Sequence, residues 1–589
     1  MRITIRSILV ALLVVSAVSA AVIIISALNI SEDRPAGAAP PHRSSWSRYL
    51  NIWRPLFHKQ WRITAYANDT DPLAEHFAPH LNWTVPDVWS VEEIEELFLS
   101  SYTEYRAFLD RQSKTYEDAV RAYKKRYRRD PPPGFRRWFT YAKGMDCLVI
   151  DDYDVIEESL APFRGLPRAS LEQRMQEIRL LDTEKRIAGV NITGGLLRTS
   201  SNSLWQLVDL GGFMHSLPEL RFLVNEWDEP FVIPQEKDTE RPVEFFEAAK
   251  VPWWPKIVDQ CAWEGRKVGG GWKNSGRFIT SIADAKAALD VCAHPEYEGT
   301  HGFLNAPVSF TGTRQLVPIM STQKLSVFKD ILIPSSSPFH PEFLENEGVQ
   351  PFESKKKVLY WRGSPTGGHL DPTNVLKSHR VRLALMSQTH GDLIDAKLTT
   401  YFGDDDVQAI QKDVFGETKI VDKMEENNYG YLMDMDGNGQ SGRFYRLLRS
   451  KAVVFKSTIF QQWHDDRLFP WVHYVPVKLG MPELVEVLSW LARTERGEGI
   501  SKRIAEESDW WARQALRVED AEVYMYRLLL EYAALFRDPG AHISDYMRVP
   551  SDLILLDYTM SRKSSRDGAA IIIKQSHRTG EPSKLERIA

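Results

Sequence analysis

Asp434-Met-Asp-Gly-Asn-Gly-Gln-Ser-Gly-Arg-Phe-Tyr-Arg-Leu-Leu-Arg-Ser450 is the stretch that decides how this chain is read. It follows an apolar-aromatic run, Tyr429 to Met433, that reads as a strand. It passes into a helical pattern with Phe444, Leu447 and Leu448 on one side. Gly437, Gly439 and Gly442 permit close backbone approach to a ligand, and Ser441 stands where a helix cap is expected. The free N–H groups of a first helical turn attract phosphate. Arg443 sits in that turn, and Arg446 and Arg449 recur at helical spacing. Strand, glycine-rich turn and arginine-bearing helix together predict a diphosphate site.

Other readings compete. Asp434, Asp436, Asn438 and Gly439 match the first, third, fifth and sixth positions of an EF-hand loop. The twelfth position, a bidentate Glu in such loops, is Tyr445, so the calcium reading is set aside. The plain alternative is a surface turn with solvated arginines.

The residues that follow argue against that alternative. Lys451 to Phe460 reads as a buried strand, and Trp463-His464 and Pro470-Trp-Val-His-Tyr-Val-Pro-Val477 come next. This stretch resembles the family-90 glycosyltransferases, which include the fungal capsule-associated proteins and the Rumi-like protein O-glucosyltransferases. There a glycine- or alanine-rich turn, a Ser-x-Arg-Phe helix start and a Trp-Val-His-Tyr-(Ile/Val)-Pro-Val strand occur in this order. Upstream, Tyr360-Trp-Arg-Gly-Ser-Pro-Thr-Gly-Gly368 is similar to the family's Arg-Gly-Ser segment. Phe328-Lys-Asp-Ile-Leu-Ile-Pro334 is similar to its Asp-Ile-Leu-x-Pro segment. Leu217-Pro-Glu219 through Asp228-Glu-Pro230 is similar to its Asn-x-x-Asp-x-Pro segment. The resemblance covers about residues 215 to 480. Gly442 stands where Rumi-like members have Phe, and Gly439-Gln440 where they have Ala-Ala. The pattern therefore looks closer to the fungal capsule-associated branch.

The resemblance implies an α/β, GT-B-like fold, with two Rossmann-like lobes and a cleft between them. Strands and helices alternate from about 145 to 333 and again from Lys357 to Val477, as parallel sheets flanked by helices require. Helices dominate Glu483 to Phe536. Ser90 with Glu93 reads as a capping box whose helix runs towards Arg129. The basic end of that helix, Lys124 to Arg129, reads as a solvated helix terminus. The expected organisation is a cytosolic N-terminus 1–7, a transmembrane signal anchor 8–28, a lumenal stem 29–89, an acceptor and base lobe 90–333, a nucleotide-sugar lobe 334–546 and a disordered tail 547–589.

Composition sets the compartment. The chain has 589 residues, 43% hydrophobic and 26% charged, with net charge −5, and nothing in it points to nucleic acid. Residues 7 to 31 carry no charge, Arg2 and Arg6 precede them and Glu32 and Asp33 follow. Positive-inside logic predicts a single-pass type II protein with its catalytic part in the lumen, and the expected location is the Golgi or endoplasmic reticulum membrane. A cleaved signal peptide with Ala17 to Ala21 as its cleavage region is the competing reading. Sequons at Asn68, Asn82 and Asn191 are compatible with a lumen. The 3 cysteines allow one disulfide and one free thiol, with the pairing open.

Transfer from a nucleotide sugar needs a base for the acceptor hydroxyl, positive charge for the departing diphosphate, and a grip on the nucleoside. Asp228 is the expected base: it follows a short apolar strand, and it matches the aspartate that serves as base in Rumi-like enzymes. Glu229 is the alternative, and an Asx turn before Pro230 is the bland reading. The turn Asn438, Gly439, Gln440, Ser441, Gly442 and Arg443 is expected to hold the diphosphate. Arg362 would be a second cation, and Gly363, Ser364 and Thr366 a phosphate cradle. Ser335 and Phe339 are candidates for the nucleoside. His379, Arg380 and Arg382 either assist or form a solvated face. Asp152-Tyr153-Asp154 and Asp434-Met435-Asp436 both spell the Asp-x-Asp of manganese-dependent transferases, but GT-B resemblance implies that no metal is required. The expected partners are a UDP-sugar, a carbohydrate, glycolipid or glycoprotein acceptor, and the membrane. The rival class is a non-catalytic lumenal protein binding calcium or carbohydrate on a transferase scaffold.

Overall fold

Strand β8 (Lys356–Gly363) lies at the switch point of a five-stranded sheet in a computed structural model that describes residues 91–199, 212–235, 241–269, 278–340, 344, 346 and 348–537. The other strands of this sheet are β9 (Ile394–Leu398), β10 (Tyr429–Met435), β11 (Val453–Ser457) and β12 (Val475–Pro476). Their order is β12-β11-β10-β8-β9, and every pairing is parallel. The helices His379–Thr389, Asp405–Phe415 and Phe444–Leu448 make the connections. β10 and β11 are buried at every position, as strands with helices on both faces must be. In such a doubly wound sheet the chain leaves β8 in one direction and β10 in the other, which opens a crevice beyond their carboxyl ends.

The first sheet is a mixed one. Its strands are β1 (Ile187–Thr193), β2 (Leu196–Thr199), β3 (Leu220–Asn225), β6 (Ile319–Ser321) and β7 (Ile331–Leu332), in the order β2-β1-β3-β6-β7. β3, β6 and β7 run parallel, while β1 is antiparallel to both β2 and β3. The β1–β2 hairpin, turned at Gly194-Gly195, makes one edge of this sheet antiparallel. A small ribbon of β4 (Phe245–Glu247) and β5 (Thr311–Thr313) stands beside it.

The 333/334 division separates the strands of the two sheets, but helices cross it. Ile94 and Phe98 of the helix Val91–Asp110 pack into the core of the second sheet. The helix Val518–Leu535 returns to the first, where the Tyr524 hydroxyl donates to Leu332 O (3.0 Å) and Trp138 Nε1 donates to Val523 O (3.0 Å).

The expected helix running towards Arg129 is two helices, Val91–Asp110 and Tyr116–Tyr127. Gln112 sits at the break and accepts from the N–H groups of Ile150 (2.9 Å) and Asp151 (3.0 Å). Thr115 caps the second helix. Lys124, Lys125, Arg126 and Arg128 of the basic end are exposed, as expected, but two of its arginines are also paired: Arg126 binds Asp152 and Asp154, and Arg129 binds Glu157 and Glu531. The first Asp-x-Asp is therefore tied up in ion pairs.

Cys261 and Cys292 form a disulfide with Cα atoms 5.8 Å apart, and Cys147 is buried and free. Among the described residues no helix is long and apolar enough to cross a membrane. The expected span 8–28, the stem, the tail and the sequons at Asn68 and Asn82 lie outside them. Asn191 is on β1, hydrogen-bonded between β2 and β3.

Candidate active site

The carboxyl ends of β8 and β10 are sewn together. Beyond β8 the chain forms the loop Ser364 to Gly368, and beyond β10 the turn Asp436 to Gly442. Gly367 N–H donates to Asn438 Oδ1 (3.1 Å), and Arg443 Nη1 donates to Arg362 O (2.7 Å). Arg380, in the first turn of the helix His379–Thr389, spends its guanidinium on both segments. Nε donates to Asp436 O (2.6 Å), Nη2 to Met435 O (3.0 Å), and Nη1 to Ser364 O (3.1 Å) and Thr366 Oγ1 (2.7 Å). His379 Nε2 meets Asp436 O at 2.9 Å, and its ring stacks on His301 with centroids 4.4 Å apart. His379 and Arg380 are buried, so they are not the solvated face that one reading of the sequence allowed.

Across this turn stands the loop that follows β3. Asn225 shapes it: Oδ1 accepts from Trp227 N–H (3.1 Å) and Nδ2 donates to Glu229 O (2.7 Å). The buried Asp330 fastens its exit by accepting from the N–H groups of Phe231 and Val232, both at 2.9 Å. Gln323 joins the two sheets' loops. Its Nε2 donates to Asp228 O, and its Oε1 accepts from Gln440 N–H. Gly439 is needed for this approach, since a Cβ there would lie 3.1 Å from Asp228 O and far closer to Gln323 Nε2. Its lack of a side chain thus serves the loop–loop contact, whereas around Gly442 the space is open. Asp228 and the glycine-rich turn, which lie far apart in sequence, form two sides of one place.

The Asp228 side chain reaches solvent, yet the protein around it raises its carboxyl above the usual range through loss of hydration. Glu229 is buried, accepts from Ser309 Oγ (3.2 Å), and is pushed up to about 7 by burial and then by the charge of Asp228. Such a group stabilises the fold fully below about pH 4.5, and that stability is lost as pH rises through about 7, where the buried carboxyl must ionise. Glu229→Gln is expected to flatten the decline in thermal stability between pH 4.5 and 7 and to gain about 1–3 kcal/mol at pH 8. Parallel pH profiles for variant and wild type would show that Glu229 is not held neutral.

On the cation side a cavity of about 320 Å³ is lined by Arg362, Arg443, Arg446 and Lys423, among others. Their charges are not equivalent. Arg362, expected as a second cation, forks onto Asp395 at 2.9 and 3.0 Å and lies over the Tyr360 ring, so its charge is shared with a carboxylate. Arg446 is paired with Glu426. Arg443 and Arg380 have no carboxylate partner among the described residues. They lie close enough that Arg443 adds to the effect of burial in lowering Arg380 to about 9. Asp436 and Asp434 lie near enough to Arg380, and Glu426 near enough to Arg443, to act on these charges without forming an ion pair with them.

Ser441 is not the helix cap. The helix begins only at Phe444, with Arg443 in the cap position and no side-chain cap bond, because Ser441 and Gly442 are spent on the turn. Ser441 Oγ is buried without a hydrogen-bond partner. Phe339 packs against Tyr445 with centroids 5.4 Å apart, and Ser335 is half-buried beside it. Gly363 backs onto the Trp361 ring. Asp434 is paired with Lys456 (2.9 Å), and Asp436 accepts from Ile459 N–H (2.8 Å) and is pushed up to about 6 by burial. Both carboxylates are thus turned inward, away from any calcium-loop geometry. Among the described residues no group of three or more His, Cys, Asp or Glu is placed to hold a metal. Gln323 carried no signal in the sequence, being a lone amide in an unremarkable segment; Arg380 stood near a family-like segment, with assistance at the site or a solvated face as its two readings.

Residues 329–579 match the model of glycosyl transferase family 90. The match begins after the Asp228 loop. The chain is also 25% identical over 258 residues to protein O-glucosyltransferase 1 of Rattus norvegicus, covering 40% of this chain and 61% of that protein. It is 30% identical over 226 residues to protein O-glucosyltransferase 3 of Rattus norvegicus, covering 37% and 42%. It is 29% identical over 191 residues to the O-glucosyltransferase rumi homolog of Aedes aegypti, covering 32% and 43%. The chain thus spans less than two thirds of the length of these relatives.

Proposed function

We propose that this chain, which carries a family-90 glycosyltransferase domain, moves a sugar from a UDP-sugar to a hydroxyl group, with inversion and with Asp228 as the base. The observation that carries the reading is the Gln323 bridge, which sets the Asp228 loop against the turn leading to Arg443. A base and an anion site must flank the anomeric carbon for an in-line displacement. In that step the acceptor O–H gives its proton to Asp228 while its oxygen bonds to the anomeric carbon. The bond from that carbon to the diphosphate oxygen breaks, and the electron pair leaves with UDP. Arg443, the amides of the 439–442 turn and the nearby charge of Arg380 would stabilise the departing diphosphate. Two unpaired guanidinium groups can supply the charge that a metal supplies elsewhere, so the proposed reaction is metal-independent.

The relatives' names point to glucose and protein acceptors. The turn's likeness to the fungal capsule-associated branch keeps xylose and a glycan or glycolipid acceptor in the proposal. The Cys261–Cys292 disulfide fits an oxidising lumen, in keeping with a type II anchor in the endoplasmic reticulum or Golgi.

The test is a panel of UDP-sugars, each measured for thermal stabilisation and for UDP release, with manganese and with a chelator. Stabilisation and release by one sugar in the chelator are expected. No stabilisation by any UDP-sugar would overturn the reading. Binding without any turnover would favour the rival, a carbohydrate-binding protein on a transferase scaffold.

A further inference from the structure

Most of the indoles described in this chain are buried, but Trp227, the residue before Asp228, is 39% exposed. It is not a loose surface side chain. Its N–H is fixed to Asn225 Oδ1 (3.1 Å), and the next residue is held through its carbonyl by Gln323. Arg186 backs the ring: its backbone carbonyl accepts from Glu226 N–H (3.0 Å), extending the pairing of β1 with β3, and its guanidinium lies 4.8 Å from the Trp227 ring. That guanidinium is itself anchored by Thr311 Oγ1 and Glu184, with Glu247 at 3.7 Å. The indole is thus clamped on one side, open on another, and one residue from the proposed base. The side chains of Glu184 and Glu247 beside it are 56% and 71% exposed.

This grouping has a specific chemistry. A rigid indole presents a flat apolar face with negative π density, which suits the C–H-rich face of a pyranose ring. Exposed carboxylates close by accept hydrogen bonds from sugar hydroxyls. Resting on the glycosyl-transfer reading above, we propose that Trp227 is the acceptor platform and that the acceptor is a carbohydrate, one of whose pyranose rings stacks on Trp227 while its hydroxyl reaches Asp228. A free oligosaccharide and the glycan of a glycolipid share this chemistry.

The test uses the full chain with its preferred UDP-sugar and xylotetraose, mannotetraose and cellotetraose as acceptor probes, together with a glycolipid carrying the best of them. One tetraose is expected to accept sugar. Trp227→Ala should raise the KM for that acceptor roughly tenfold, the size of one good aromatic contact, with the donor KM within twofold. Trp227→Phe should recover most of the loss. Thermal unfolding of both variants checks the fold, and Trp227→Phe keeps the test open if the alanine variant is unstable. A tetraose active only on lipid places the acceptor on a membrane and supports the proposal. An unchanged acceptor KM in both variants, or transfer to polypeptide serine or threonine and to no saccharide, overturns it. Failure to bind any UDP-sugar would instead sink the transferase reading, so the two failures are distinguishable.

Discussion

Asp228→Asn is expected to lower sugar transfer by roughly 10²–10⁴-fold, the usual size of a general-base contribution, while UDP-sugar binding survives. The amide is close to isosteric, and the loop's anchors do not use the carboxylate. Asn225 holds the backbone at 227 and 229, Gln323 takes the carbonyl of Asp228, and Asp330 holds the exit. The variant should therefore fold and bind. Because loss of hydration raises the Asp228 carboxyl, wild-type kcat/KM should fall on the acid side as that carboxyl takes up its proton, and the variant should lose this limb. Transfer within a few fold of wild type would move the base to Glu229, which is adjacent and pushed up to about 7 by burial.

Arg443→Ala should weaken UDP binding by about 1.5–3 kcal/mol, the cost of one charge-assisted hydrogen bond, which is about 10- to 150-fold in Kd. Little of the fold depends on the side chain. Its one hydrogen bond to protein goes to Arg362 O, and it has no carboxylate partner among the described residues. Arg362→Ala gives the contrasting result, because its fork with Asp395 ties β8 to β9. Stability should suffer there more than UDP affinity. Calorimetric titration with UDP and thermal unfolding of both variants separate the two. An Arg443→Ala protein with undiminished UDP affinity would make the turn a structural feature.

Much of the second sheet was legible in the chain. Tyr429 to Met433 and Lys451 to Phe460 are apolar enough to show strands buried on both faces. The glycine-rich turn between them stands where a parallel sheet places its ligand. The first sheet was less legible. The β1–β2 hairpin is short, and its two strands belong with β3 through pairings that no local pattern announces. The helix over Val91–Asp110 was expected, but its end was not, because Gln112 is recruited by backbone groups 38 and 39 residues further on.

By itself, then, the sequence determined the residue types and local geometry of the site: the turn at 436–443, the arginines around it, and an aspartate at a strand end. Those depend on short-range periodicity, glycine placement and chemical character, all of which are local. Only the tertiary structure decided which of these groups are free to act. Arg362 is paired with Asp395 and Arg446 with Glu426, while Arg443 and Arg380 form no ion pair among the described residues. Ser441 gives up the helix cap, and Gln323 brings Asp228 to the turn from another sheet. Ion pairing and burial depend on distances between atoms that the chain holds tens to hundreds of residues apart, and those distances exist only once both sheets have packed.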